Sequence, residues 1–461
     1  MGRIAQLAGV IALTTLSANA SHAADDLYGI LELALDNDPT LRQAEANYRA
    51  NRENMIQSRA NLLPNLNATG NTARLTSGPT DEISAVNPFT GQLQVQQAHS
   101  FRPGINNHGW GLNLNQSLVN LAQWYSFQSA RAADKAAAVN LAAQEQDLIM
   151  RVSMAYFDVL RAIDLLDTNV QEEEAAARSL EQTQQREEVG LVPITDVFDA
   201  QAAFDLARNT TILQQDFLRS RYEALEAITG QPHPDIEVLD AEFPIVDADG
   251  TLNEWEQQAE GNSLAIAAAQ FTLESQEQTL RARKSDHLPT IGIAGNFAHN
   301  VTKPIIQQGI TIGGGAFDRT SLALNITVPL YSGGAVRSRR RAAEYGVVAA
   351  KESLELTKRQ LTQNIRNAYR RVNTDVMVIA QRQQSILSAQ TALDATELGA
   401  EVGTRNIVEV LRARENLYRA LRQYADARYT YVIDSLTLKQ TAGILTPQDV
   451  IELNEWLGAQ Q

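Results

Sequence analysis

Ile149, Tyr156, Ile163 and Val170 recur every seven residues, with Val152, Val159 and Leu166 three places after the first three. This a/d alternation predicts the seam of a long helix packed lengthwise against others. Late in the chain two adjacent series, Val410, Leu417, Tyr424, Tyr431 and Leu411, Tyr418, Ala425, Val432, form a wider stripe and predict neighbours on two sides. Elsewhere the period is two. Trp110, Leu112 and Leu114 alternate with Gly111, Asn113 and Asn115; Ile291 and Ile293 with Gly292 and Ala294; Leu322, Leu324, Ile326 and Val328 with Ala323, Asn325 and Thr327. These predict strands at about 109–118, 290–299 and 322–330, and a fourth short segment bounded like them by Pro, Gly and Asn, about 64–74, is read as a strand too. An apolar face opposed to Gly, Asn and Thr suits a strand with lipid outside and water inside; a small soluble sheet with a one-sided core has the same pattern.

Proline punctuates this pattern. It occurs at 39, 64, 79, 88 and 103, then not until 193, and after 329 not until 447. Such intervals, rich in Ala, Gln, Glu, Leu and Arg, favour uninterrupted helix. A helix from about Ala122 to Glu187 is close to 100 Å long at about 1.5 Å per residue, a length no compact domain needs. A rod-like structural coiled coil fits that feature taken alone. Between the strands of each pair lie polar stretches of little periodicity, Leu75 to Asn107 and Val301 to Thr320, read as exposed loops. Two corners end the long helices. Val189-Gly190 and Val402-Gly403 stand where a helix stops, and the polar Thr195 and Asn406 stand where a new one is expected to start.

The plan occurs twice. Leu62-Leu63-Pro64 is echoed by His287-Leu288-Pro289, Ala155-Tyr156 by Ala368-Tyr369, and Val189-Gly190 by Val402-Gly403, the last two pairs 213 residues apart. The expected organisation is a first repeat over 24–245 and a second over 246–461, joined by Gly230 to Asn253 with its prolines 232, 234 and 244. About four strands cannot close a membrane barrel, which needs at least about eight. Several chains must contribute to one, and three supply about twelve.

Composition narrows the function. Met1 to Ala23 has a basic start at Arg3, an apolar run from Ile4 to Leu16 and small residues before Ala24, the pattern of a secretory signal peptide. An N-terminal membrane helix is the alternative, weakened by the short apolar run. The chain has no cysteine, hence no disulfide, thiolate metal site or lipid-anchor residue. A net charge of -15 speaks against a phosphate-binding role for the protein as a whole, and no nucleic-acid partner is expected. Its histidines lack metal-ligand spacing, and Gly313-Gly314-Gly315 leads into no Lys-Ser/Thr, so neither an enzyme, a cofactor nor a catalytic residue is expected.

Over nearly all of its mature length the chain resembles the TolC family of trimeric outer-membrane channels. The resemblance is carried by Leu62-Leu63-Pro64, Ala155-Tyr156-Phe157-Asp158-Val159-Leu160, Val189-Gly190-Leu191 with Ile194-Thr195-Asp196-Val197, Ile228-Thr229-Gly230, His287-Leu288-Pro289-Thr290, Pro329-Leu330-Tyr331 with Gly333-Gly334, and Val402-Gly403-Thr404-Arg405 with Ile407-Val408. It implies a mainly α fold with a small β part: a homotrimer in the outer membrane of a Gram-negative bacterium, with a twelve-stranded barrel continued by a periplasmic α-helical barrel. It also implies an equatorial region built from the linker and 446–461. The implied role is an exit duct for drug efflux or type I secretion. The implied partners are outer-membrane lipid, a periplasmic adaptor and an inner-membrane pump of the RND, ABC or MFS class.

The resemblance also assigns residues. Arg405 would latch to Thr195 and Asp196 at the gate, while the family's tyrosine link is missing because Ala400 stands at its position. Two entrance aspartates correspond to Glu409 and Arg412, with Asp199 as a possible source of negative charge. Val189, Gly190, Val402 and Gly403 would meet the adaptor. Plainer readings stand beside these: solvated charges at helix starts and ordinary C-cap glycines. Arg337, Arg339, Arg340 and Arg341 follow the last strand, placed either to meet lipid phosphates or to solvate a first helical turn.

Overall fold

A computed structural model describes residues 25–77, 83–87, 89–96, 102–307 and 310–458; the expected leader, 1–23, lies outside them. In order the first elements are α1 (Leu27–Asn37), α2 (Pro39–Ala60), β1 (Asn65–Ser77), β2 (Ile83–Val86), β3 (Leu93–Gln96), β4 (Arg102–Val119), α3 (Leu121–Glu188) and α4 (Ile194–Thr229). A linker carrying β5 (Val238–Leu239) leads to α5 (Leu252–Asn262), α6 (Leu264–Ser285), β6 (Thr290–Thr302), β7 (Ile305–Gln307), β8 (Ile310–Ile312) and β9 (Gly315–Thr327). The chain ends with α7 (Ala335–Glu401), α8 (Ile407–Thr441), α9 (Pro447–Asn454) and β10 (Leu457–Gly458). Paired elements have matched lengths: α2 and α6 have 22 residues each, α3 and α7 68 and 67, α4 and α8 36 and 35.

Two compact units divide the chain, and each draws on both halves of the sequence. Among the described residues the first comprises 25–42, 144–262 and 361–458. Its core holds Leu148, Val152, Tyr156, Phe157, Val159 and Leu160 of α3 with Leu27, Ile30 and Leu31 of α1. The heptad seam is buried through Val159, whereas Ile163, Leu166 and Val170 stay half-buried within one chain. The echoed tyrosines do the same work: the Tyr156 hydroxyl donates to the Glu237 carbonyl at 2.6 Å and the Tyr369 hydroxyl to that of Gly250 at 3.2 Å, so both long helices hold the linker.

Around that linker the termini converge. β10 pairs antiparallel with β5, and Asp25 bridges to Ile236 in parallel. The Asn454 amide donates to Asp26 at 2.8 Å, and the buried His233 ring lies 2.7 Å from Asp25 and 2.8 Å from Thr229. The expected equatorial segments therefore gain a third, N-terminal member that sequence reading omitted.

The second unit comprises the described residues within 43–143 and 263–360. Its sheet has the order β1-β4-β6-β9, all antiparallel. Register puts Leu66 opposite Leu114, Leu112 opposite Phe297, Ile293 opposite Leu324 and Ile291 opposite Ile326. Partners in an antiparallel ladder face the same side, so these residues share one face. On the other lie Asn67, Asn113, Asn296 and Ser321, with the Asn296 amide donating to Asn113 at 2.6 Å. Among the described residues β1 pairs only with β4 and β9 only with β6, which leaves two long open edges.

Several expectations need correction. The strands extend past their alternating cores, because backbone pairing continues where the sequence pattern fades. The stretches read as loops thus contain the ends of β1, β4, β6 and β9 and two hairpins, β2–β3 and β7–β8. At the other end β9 stops at Thr327, short of the expected 330, since Pro329 has no N–H for a ladder. Thr195 does not begin α4: the N-cap is Pro193, whose fixed φ of -74° suits the entry, and Thr195 is the second helical residue.

Candidate functional site

Both corners are built the same way. In the first, Gly190 N–H donates to the Glu187 carbonyl and Leu191 N–H to that of Arg186, both at 2.8 Å. In the second, Gly403 N–H donates to Ala400 at 3.2 Å and Thr404 N–H to Gly399 at 2.8 Å. These are paired Schellman closures, which need a left-handed residue at the turn. Gly190 and Gly403 supply it with φ of 75° and 76°. A Cβ at either would meet nothing within 4 Å, so only the backbone conformation demands glycine. Beside them Val189, Leu191, Ile194, Phe198 and Val402 are large apolar side chains left exposed.

The charged residues sit on the turn that follows. Asn406 caps α8, its side chain accepting from Glu409 N–H at 2.9 Å. Within one chain the Arg405 guanidinium pairs with Glu409 at 3.3 Å, both groups exposed. Thr195 and Asp196 are brought together at 3.5 Å, whereas Arg405 is not joined to either. Arg412 and Asp199 are exposed and project from α8 and α4. Ala400 is half-buried against the cluster of Leu393, Val410 and Leu417. Sequence reading overlooked Gly399: a Cβ there would stand 2.7 Å from Arg405 Cγ, so its lack of a side chain lets the arginine stem lie across the end of α7. The Gly399-x-x-x-Gly403 spacing was the available signal.

Above the corner α8 is tied to α3 by a ladder of polar side chains. The Arg414 guanidinium donates to the Ala175 carbonyl at 2.9 Å, the Tyr418 hydroxyl to Gln171 at 3.1 Å, Arg422 to Asn169 at 2.9 Å and also to Glu172, and the Tyr429 hydroxyl to Asp164 at 2.7 Å. Burial raises the pKa of the Asp164 carboxyl, opposed by the Tyr429 hydrogen bond, and burial likewise raises that of the phenol. Between α7 and α8, burial and then the charge of Asp434 push Asp375 up to about 6, while Arg371, 3.5 Å from Asp434, opposes the shift. The corner charges are thus solvated, whereas α8 is held to α3 by half-buried and exposed polar contacts along its length.

Comparison with known proteins agrees with this architecture. The family model described as outer membrane efflux protein matches residues 30–231 and 255–444. The outer membrane protein TolC of Vibrio cholerae is 34% identical over 97% of this chain and 96% of its own. The proteases secretion protein PrtF of Dickeya chrysanthemi is 24% identical over 96% of this chain and 94% of its own. Among solved structures, CusC, described in terms of transmembrane channel formation, superposes with a TM-score of 0.76 at 15% identity, covering 93% of this chain and 95% of that one.

Proposed function

The chain belongs to the outer membrane efflux protein family, and from that premise we propose that it assembles as a homotrimeric exit duct, gated at the two helical corners. It serves in the outer membrane, in efflux or type I secretion. The carrying observation is the four-stranded sheet, apolar on one face, Asn-rich on the other and open at both edges. Exposed edges of such length invite pairing with another copy. Joining β9 of one copy to β1 of the next, three times, closes twelve strands with lipid outside and water inside. A periplasmic coiled-coil rod has no use for such a sheet. The matched helix lengths support two repeats, 24–245 and 246–461, each giving the trimer two strands and a helical hairpin.

In the closed duct Arg405 exchanges Glu409 for Asp196 and Thr195 as the corners approach one another. The exchange costs little, because an exposed ion pair is worth about 0–1 kcal/mol. Glu409, Arg412 and Asp199 line the entrance, and Val189, Gly190, Val402 and Gly403 offer exposed apolar corners to a periplasmic adaptor that recruits an inner-membrane pump. Gel migration of outer-membrane fractions tests the assembly: a trimer band that persists in SDS until boiling is expected. A soluble monomer in the periplasmic fraction refutes it.

A further inference from the structure

The apolar face of β9 does not stop at the strand. Leu322, Leu324 and Ile326 continue through Val328 to Leu330 and Tyr331, the last two 93% and 90% exposed. From Leu322 to Leu330 this row is about 26 Å long at about 3.3 Å per residue, close to the about 25 Å apolar band of a membrane barrel. Immediately beyond it α7 opens with Arg337, Arg339, Arg340 and Arg341, all exposed. Two have internal partners: Arg339 lies 3.9 Å from Asp286, and Arg340 lies 2.9 Å from Glu344. Arg337 and Arg341 have none among the described residues, and four-residue spacing puts them on one face, with Tyr345 and Val348 exposed further along it.

Local energetics disfavour this arrangement. Like charges four apart repel, and cations in the first turns oppose the helix dipole, with no acid in the first turn of α7 to compensate. An external anion at the edge of the apolar band removes both penalties. We propose that the Arg337–Arg341 face of α7 binds the phosphates of anionic glycerophospholipids in the periplasm-facing leaflet, with Leu330 and Tyr331 seated among their glycerol and acyl groups. Guanidinium forks match phosphate geometry and their stems lie along apolar surface. This rests on the outer-membrane reading and deepens it, fixing the depth of the barrel by a lipid class rather than by apolar matching alone.

The test is native mass spectrometry of purified protein, in whatever oligomeric state it holds, mixed with phosphatidylglycerol or phosphatidylcholine. Wild type is expected to retain phosphatidylglycerol preferentially, at about fivefold per arginine, and R337Q/R341Q to lose that preference while R337K/R341K keeps part of it. Equal retention of the two lipids by wild type, or an undiminished preference in R337Q/R341Q, overturns the proposal. Migration of wild type as a heat-modifiable trimer is read separately, so failure of the duct reading is told apart from failure of lipid selection.

Discussion

The corners at Gly190 and Gly403 share a backbone and differ in chemistry. Ile194 and Ile407, the first residues of α4 and α8, stand 213 positions apart, and at that offset Asp196 matches Glu409, an acid three residues into each helix. The same offset matches Val192 with Arg405, Pro193 with Asn406 and Asp199 with Arg412. A similar exchange occurs farther along the hairpins: Asp158 of α3 lies 3.9 Å from Arg221 of α4, and at the matching places Arg371 of α7 lies 3.5 Å from Asp434 of α8. Left-handed closures are retained in both copies, because any side chain there would be strained. Charges change sign between the copies, at the exposed corners where a pair contributes little to folding and at the partly buried Asp158–Arg221 and Arg371–Asp434 pairs, where the two partners have changed places together. The result is one corner rich in acceptors and one that carries the arginines, the asymmetry the proposed latch would use.

The largest effect should come from reversing that asymmetry. If Arg405 meets Asp196 in the closed duct as proposed, Arg405→Glu sets like charges against each other there, and single-channel recordings in planar bilayers should give conductance raised about twofold or more, with longer openings. Ala400→Tyr should shift conductance downward. Unchanged conductance in an intact Arg405→Glu trimer would leave Arg405 a solvated corner charge. Glycine replacement treats both corners alike. Gly190→Val and Gly403→Val should each cost roughly 1–2 kcal/mol through the left-handed backbone, lowering thermal stability and export by similar amounts; a harmless Gly403→Val would mean neither closure nor docking matters there.

Smaller differences separate the copies. Asn406→Ala removes a side-chain cap and should cost about 1 kcal/mol, whereas Pro193→Ala, with no such bond to lose, should cost far less. The pair of melting temperatures checks this directly. The smallest effect concerns Asp375, whose counterpart is Ala162. Its folded pKa, raised to about 6, exceeds the unfolded value near about 3.9, so the folded state binds the extra proton. Stability from this group is present below about 4 and is lost as pH rises through about 6. Asp375→Asn should therefore stabilise by about 1 kcal/mol or less, after allowing for solvent screening, at pH 8 and not at pH 4. Helical melts at the two values would detect it.

Much of this was legible in residue order. Val-Gly at 189–190 and 402–403 marked both helix ends, and the φ of 75° and 76° follows from the reason glycine is used there. Trp110, Leu112 and Leu114 marked a strand and its apolar face, yet not the reach of β4 back to Arg102. Asn406 was readable as a cap, but Thr195 misled because a polar residue near a helix start resembles one. The partner of Arg405 was not readable: Arg405 stands on the turn before α8, Glu409 lies four residues on in its first turn and Asp196 more than 200 residues earlier, and sequence offers no distance between them.

By itself the sequence determined the helices, the corners, the strand faces and the twofold plan, since each depends on periods of 3.6 and 2.0 or on the conformational range of one residue. Tertiary structure alone decided which elements meet. β4 pairs with β6 across the two halves, Asp25 reaches Ile236, β10 closes on β5, and Arg422 selects Asn169 and Glu172 from many polar residues on α3. Local pattern fixes what a segment buries, whereas its partner is chosen by packing and hydrogen-bond satisfaction over separations of hundreds of residues.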